Sequence, residues 1–88
     1  MEPETYIKFA IRKGKIIAGY FYLPRQEGDH VAYSREAQDG LVIDYTQDKR
    51  AIGIEITCPS LFSLDVLNKV LVELGHVPLT GRVLVPTG

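Results

Sequence analysis

The chain has one cysteine, Cys58, which excludes an internal disulfide and any site built mainly from thiolates. It has two histidines, His30 and His76, and no spacing motif joins them to Cys58. Zinc sites take three or four protein ligands, so no metal is expected. No apolar run approaches the ~18 residues that a membrane-spanning helix needs. The opening Met1-Glu2-Pro3-Glu4 lacks the basic-then-apolar layout of a signal peptide. Charge of one sign is also missing: 10 Lys and Arg face 11 Asp and Glu, a net charge of −1. Bulk charge therefore offers nothing to nucleic acid or an anionic membrane. The glycines form neither Gly-x-Gly-x-x-Gly nor Gly-Lys-Ser/Thr, so no phosphate-binding loop is expected. These absences lead to the expectation of a cytoplasmic protein without cofactor, metal or membrane.

What is present fits one small domain. The 88 residues are 45% hydrophobic and 24% charged, as in soluble globular proteins. The expected core spans residues 5–75, with 76–88 as a C-terminal tail. A chain of this size buries little more than ~60% of its unfolded surface, and association is a common remedy.

The organising stretch is residues 40–57, Gly-Leu-Val-Ile-Asp-Tyr-Thr-Gln-Asp-Lys-Arg-Ala-Ile-Gly-Ile-Glu-Ile-Thr. It reads as two strands around a polar turn. Period-two alternation puts Leu41, Ile43, Tyr45, Ile52, Ile54 and Ile56 on one face. Asp44, Gly53 and Glu55 share the other. A two- or four-residue turn gives the same register, with Tyr45 opposite Ile52, Ile43 opposite Ile54, Leu41 opposite Ile56 and Asp44 opposite Gly53. The tightest turns carry Asn-Gly or Asp-Gly, which is missing here, so four residues are expected. A one-residue slip would scatter the aliphatic face, so the pattern holds the register.

Residues 5–12 and 15–23 alternate as two further strands around Lys13-Gly14, with Ile11 opposite Ile16, Phe9 opposite Ala18 and Ile7 opposite Tyr20. The second is apolar on both faces, as in a strand covered on both sides or at an interface. Pro24 stops it, residues 24–29 form a polar loop, and 30–36 read as a polar edge strand. Short connections favour an up-and-down meander of five strands. After Cys58-Pro59 the period changes to about 3.6: Leu64, Leu67, Val70, Leu71 and Leu74 mark one face of a helix over 63–74. Ser63 is its expected N-cap and Gly75 its terminator. Val72 falls among the polar residues, Asp65, Asn68, Lys69 and Glu73. The fold class is α+β, an antiparallel sheet of about five strands with one C-terminal helix on a face. The tail 79–88 reads as an added strand, a clip across the helix or a contact with a second chain.

Candidate chemistry centres on Asp44 and Glu55, diagonal neighbours roughly 7–8 Å apart, beside a hollow left by Gly53. An acid–base pair or a metal site is one reading. The preferred one is structural, with Asp44 bonded to amides and Glu55 paired with Arg35 or Arg50. Cys58 continues the aliphatic face and reads as a buried small hydrophobe rather than a nucleophile. His76 suits the negative end of the helix. The basic clusters Arg12-Lys13-Gly14-Lys15 and Lys49-Arg50, with Tyr20, Tyr22 and Tyr33, would fall at opposite ends of the sheet and form no single nucleic-acid patch.

Asp39-Gly40-Leu-Val-Ile-Asp44-Tyr45, a polar turn and Gly53-Ile-Glu-Ile56, preceded by the aromatic strand Tyr20-Phe21-Tyr22-Leu23, resemble the signature of a family of small bacterial proteins of unknown function. The resemblance spans about residues 18–58. This chain departs from it in having Asp48-Lys49 where relatives often have Asp-Gly, and Thr46 where an acid is common. It implies a small α+β domain with no established activity, and a protein-binding, antitoxin-like role. The functional expectation is therefore a non-enzymatic protein-interaction module, in which the two-faced apolarity of 16–23, Val72 and the apolar tail point to a homodimer. The alternative is a small-ligand or metal-binding domain using Asp44, Gly53 and Glu55.

Overall fold

A computed structural model describes residues 6–79. The strands are β1 (Tyr6–Arg12), β2 (Lys15–Tyr22), β3 (Tyr33–Glu36), β4 (Leu41–Tyr45) and β5 (Ala51–Ile56). A 3-10 turn (Pro59–Leu61) leads to one helix, α1 (Leu64–Glu73). The α+β class is as expected: five antiparallel strands in one sheet, one helix on a face.

The strand order is β1-β2-β5-β4-β3, which corrects the expected meander. β5 inserts beside β2 because its aliphatic residues Ile52, Ile54 and Ile56 are all buried, whereas all four residues of β3 are exposed and suit an edge. The β2–β3 connection steps over the end of the β4–β5 hairpin, and Ala32 N–H joins the sheet at Tyr45 O (2.8 Å).

Two bulges set the registers. In β1–β2 the pairs Ile11↔Ile16 and Ala10↔Ala18 leave Ile17 over. Phe9 therefore meets Gly19 and Ile7 meets Phe21, one residue away from the expected pairing. The slip sends Phe21 and Leu23 to the core face and Tyr20 and Tyr22 to the open one. In β4–β5, Leu41↔Ile56, Val42↔Glu55, Ile43↔Ile54 and Asp44↔Gly53 stand as expected, but Tyr45 meets Ala51. The cause is turn parity. Thr46 N–H bonds Arg50 O (2.9 Å) and Lys49 N–H bonds Thr46 O (3.0 Å), so the loop has three residues, with Lys49 at φ 72°. Such a loop shifts the register by one, and the extra residue at Ile52 shifts it back. Ile52 is fully buried, but at the bulge it lies outside the cluster that holds Ile54 and Ile56.

That cluster, Phe21, Leu23, Leu41, Ile43, Ile54 and Ile56, is roofed by Leu67, Val70 and Leu71 of α1. Ser63 Oγ accepts the Val66 N–H (3.2 Å) as the N-cap. Gly75 at φ 84° closes the other end, its N–H on Val72 O (3.0 Å) and that of His76 on Leu71 O (2.8 Å). Together these make a Schellman motif. Val72 is exposed, as its place among polar residues implied. Asn68 is not simply solvated: its side-chain amide bonds both Leu79 O (3.0 Å) and Leu79 N (2.7 Å), and Leu79 packs against the core. The tail thus starts as a clip across the helix, and its remainder, with the Arg82-Val83-Leu84-Val85-Pro86 segment, lies outside the described residues. Cys58, expected to be buried, is only half-buried, because the chain leaves the sheet there for the 3-10 turn.

Leu67 is fully buried, so a carboxylate placed there would have no partner. Leu67→Asp is expected to abolish the cooperative urea transition and the helical far-UV circular dichroism. Retention of both would show that α1 does not roof the sheet.

Candidate functional site

The face of the sheet away from α1 carries the sequence-selected acids, and the structure separates them. Asp44 is 6% exposed, whereas Glu55 is exposed. Asp44 Oδ2 accepts the Tyr20 hydroxyl (2.8 Å) and Oδ1 accepts the Ser34 hydroxyl (2.6 Å). The expected amide donors are thus replaced by two hydroxyls, from β2 and β3. The Glu55 side chain makes no hydrogen bond or ion pair among the described residues. Its suggested partners are engaged elsewhere, Arg35 with the Tyr45 hydroxyl (2.9 Å) and Arg50 with Asp29.

The hollow at Gly53 is filled. A methyl group there would lie 1.8 Å from the Tyr20 hydroxyl and 2.3 Å from its ring carbon Cζ. The ring of Tyr20 lies across β5 at the point where there is no side chain, and so reaches Asp44 two strands away. Burial, then the adjacent Asp44 carboxylate, raise the Tyr20 phenol above its ordinary pKa, so it remains a neutral donor. Arg25 closes the assembly: its Nη2 donates to the Tyr20 hydroxyl (3.2 Å) and its Nε to Ile52 O (3.2 Å), the carbonyl of the bulge residue. Its guanidinium also lies 5.2 Å from the Tyr22 ring centre, with Lys8 5.6 Å from the same ring.

A second polar group sits at the β4–β5 turn. Arg50 binds Asp29 with two parallel bonds (2.7 and 2.9 Å) and Asp48 with its Nε (3.1 Å). Asp29 also accepts the Gln26 N–H (2.8 Å). Buried Thr46 receives the Arg50 N–H (3.2 Å) and donates to Asp48. This fastens the β2–β3 crossover to the turn it steps over. Arg50, then the Gln26 N–H, lower the Asp29 pKa from 3.8 to about 2.

Chemically, the Asp44 group is a neutral-donor clamp on a carboxylate. Its members come from three strands, and no histidine touches it. Among the described residues no group of three or more His, Cys, Asp or Glu is placed to share a metal ion. No described helix is long and apolar enough to cross a membrane. The two basic clusters lie at opposite ends of the sheet, one at the β1–β2 turn and one at the β4–β5 turn. Sequence reading missed Tyr20, Ser34 and Arg25, although a glycine within a strand signals the close approach of another group.

Gly53→Ala is expected to cost about 1–3 kcal/mol by overpacking against Tyr20. In a Tyr20→Ala background the same change should be nearly neutral, a non-additivity measurable by urea unfolding of the four variants. Additive effects would show that the ring does not lie over Gly53. The Asp29 carboxyl titrates below its unfolded value, so its contribution is complete above pH 3.8 and is lost as pH falls toward about 2. Asp29→Asn should flatten the fall of stability across that window. An unchanged acid limb would overturn the pairing.

Residues 18–57 match the model of a family described as a protein of unknown function (DUF2283). The matched stretch contains Tyr20, Arg25, Asp29, Ser34, Asp44, Arg50 and Gly53, and excludes β1 and α1. Comparison with curated proteins finds no match. Comparison with solved structures also finds none. The similarity of this chain to that family therefore rests on the four-stranded part of the sheet and the two polar groups fastened into it.

Proposed function

We propose that the protein is a non-enzymatic interaction module that pairs with a second copy of itself through the outer β1–β2 hairpin. An antitoxin-like role, as the family resemblance implies, is one use of such a module. The observation that carries this reading is the exposure of Ile11 (44%), Ile16 (37%) and Ile17 (51%). β2 pairs with β5 only over Gly19–Tyr22, so the end of the hairpin projects past β5 with these aliphatic side chains exposed. Each large aliphatic taken from water is worth about 1.5–3 kcal/mol. β1, seven residues long, is also an edge of the sheet among the described residues, and those of its backbone groups that do not bond β2 face outward. A second copy satisfies both features at once by extending the sheet across a two-fold axis. With a net charge of −1, repulsion between copies is small.

Sedimentation equilibrium at tens of micromolar is expected to give a dimer for the native chain and a folded monomer for Ile17→Lys. A native monomer, or an Ile17→Lys dimer of unchanged affinity, would remove the hairpin as the self-association surface.

A further inference from the structure

A cleft of about 570 Å³ lies where the β4–β5 turn, the start of the β2–β3 crossover and the C-terminal end of α1 meet. Its size is within the range of small-molecule sites. Arg25, Lys49, Arg50 and His76 line it together with Tyr45 and Leu74. Among the described residues no wall of the cleft is acidic. This concentration of cationic groups is a local feature, since the whole chain carries −1.

The three charged groups, Arg25, Lys49 and Arg50, are unequally committed. Arg50 is neutralised by Asp29 and Asp48. Arg25 bonds only uncharged oxygens, those of Tyr20 and Ile52, so its charge meets no direct counter-ion. Lys49 has no ion pair or hydrogen bond to a described side chain. It is held at φ 72°, a left-handed conformation that costs a lysine roughly 1–2 kcal/mol relative to a relaxed backbone. Two carbonyls of the last turn of α1, those of Leu71 and Val72, are taken by the His76 and Gly75 N–H groups. Two cations without a direct counter-ion, Arg25 and Lys49, an aromatic side chain and a pocket of ligand size occur together at one place.

We propose that this cleft binds a small amphipathic anion, a phosphate or carboxylate held by Arg25 and Lys49 with its apolar body against Tyr45 and Leu74. The proposal is independent of self-association, since the cleft lies at the end of the sheet away from the β1–β2 turn. Its Arg25 wall continues into the Tyr20–Asp44 group, so occupancy would be felt on the open face.

The test is amide chemical-shift titration of the full chain with phenyl phosphate and, separately, inorganic phosphate. Phenyl phosphate is expected to shift the amides of Arg25, Lys49, Ala51 and His76, and to bind more tightly than inorganic phosphate. Lys49→Gly removes the charge and suits the left-handed backbone, so it should keep or raise thermal stability while weakening phenyl phosphate binding about tenfold, or 1.4 kcal/mol. No localised shifts with either probe would overturn the site. Equal affinity for the two probes would overturn the apolar contact. Unchanged affinity in Lys49→Gly would overturn the assignment of Lys49.

Discussion

The open face of the sheet depends on one contact, the Tyr20 ring lying over Gly53 to reach Asp44. A carboxylate on a sheet face with no helix above it would ordinarily be solvated. Here the ring covers it to 6% exposure and supplies one of its two hydroxyl donors. A buried anion without donors is costly, so the ring that removes the water also has to supply a hydrogen bond. Ser34 satisfies the second oxygen, which ties the otherwise exposed edge strand β3 to the interior. Tyr20, Gly53, Asp44 and Ser34 thus place one residue on each of four adjacent strands. Their order across the sheet is the strand order itself.

That contact requires both bulges. Without the extra residue at Ile17, Tyr20 would share the face of Ile7 and Phe9 and point at the helix. Without the extra residue at Ile52, the three-residue turn would carry its register shift along β5, and Asp44 would no longer face Gly53. The bulge at Ile52 also leaves a carbonyl for Leu23 N–H (3.2 Å) and Arg25 Nε (3.2 Å). A local irregularity of the backbone therefore positions the cation that reaches the Tyr20 hydroxyl.

Much of this was legible in the residues. The helix, its Ser63 cap and its Gly75 terminator follow from a 3.6 period bounded by cap chemistry. Four of the five β4–β5 pairs follow from period two. Strand order does not follow from connection length, because short connections favour a meander over stepping across a hairpin end. The telling signal was burial demand: β5 is aliphatic enough to need neighbours on both edges, and β3 is polar enough to do without one. Turn parity was missed for a related reason. Only the left-handed Lys49 distinguishes a three-residue loop, and lysine gives no hint of that conformation. Gly53 was read as a hollow, when a glycine beside an aromatic strand marks the place a ring will occupy. Asp29 and Arg50, 21 residues apart, could not be paired before the crossover was known.

The extent of the family match has a physical consequence. Residues 18–57 contain β3, β4, β5 and the part of β2 that pairs with β5, so they hold both the Asp44 group and the Arg50 group. They also present Phe21, Leu23, Leu41, Ile43, Ile54 and Ile56 on one face with nothing inside the segment to cover it. Six large side chains at about 1.5–3 kcal/mol each are a large fraction of the 5–15 kcal/mol that separates a folded domain from its unfolded chain. A segment of this kind cannot stand alone. Whatever follows or precedes it has to roof that face, and here α1 does so with Leu67, Val70 and Leu71. The open face has the opposite character, since its buried acid, Asp44, already receives the Tyr20 and Ser34 hydroxyls. The sheet therefore separates its tasks. One face depends on a roof supplied from outside the matched segment. The other is held by contacts internal to that segment.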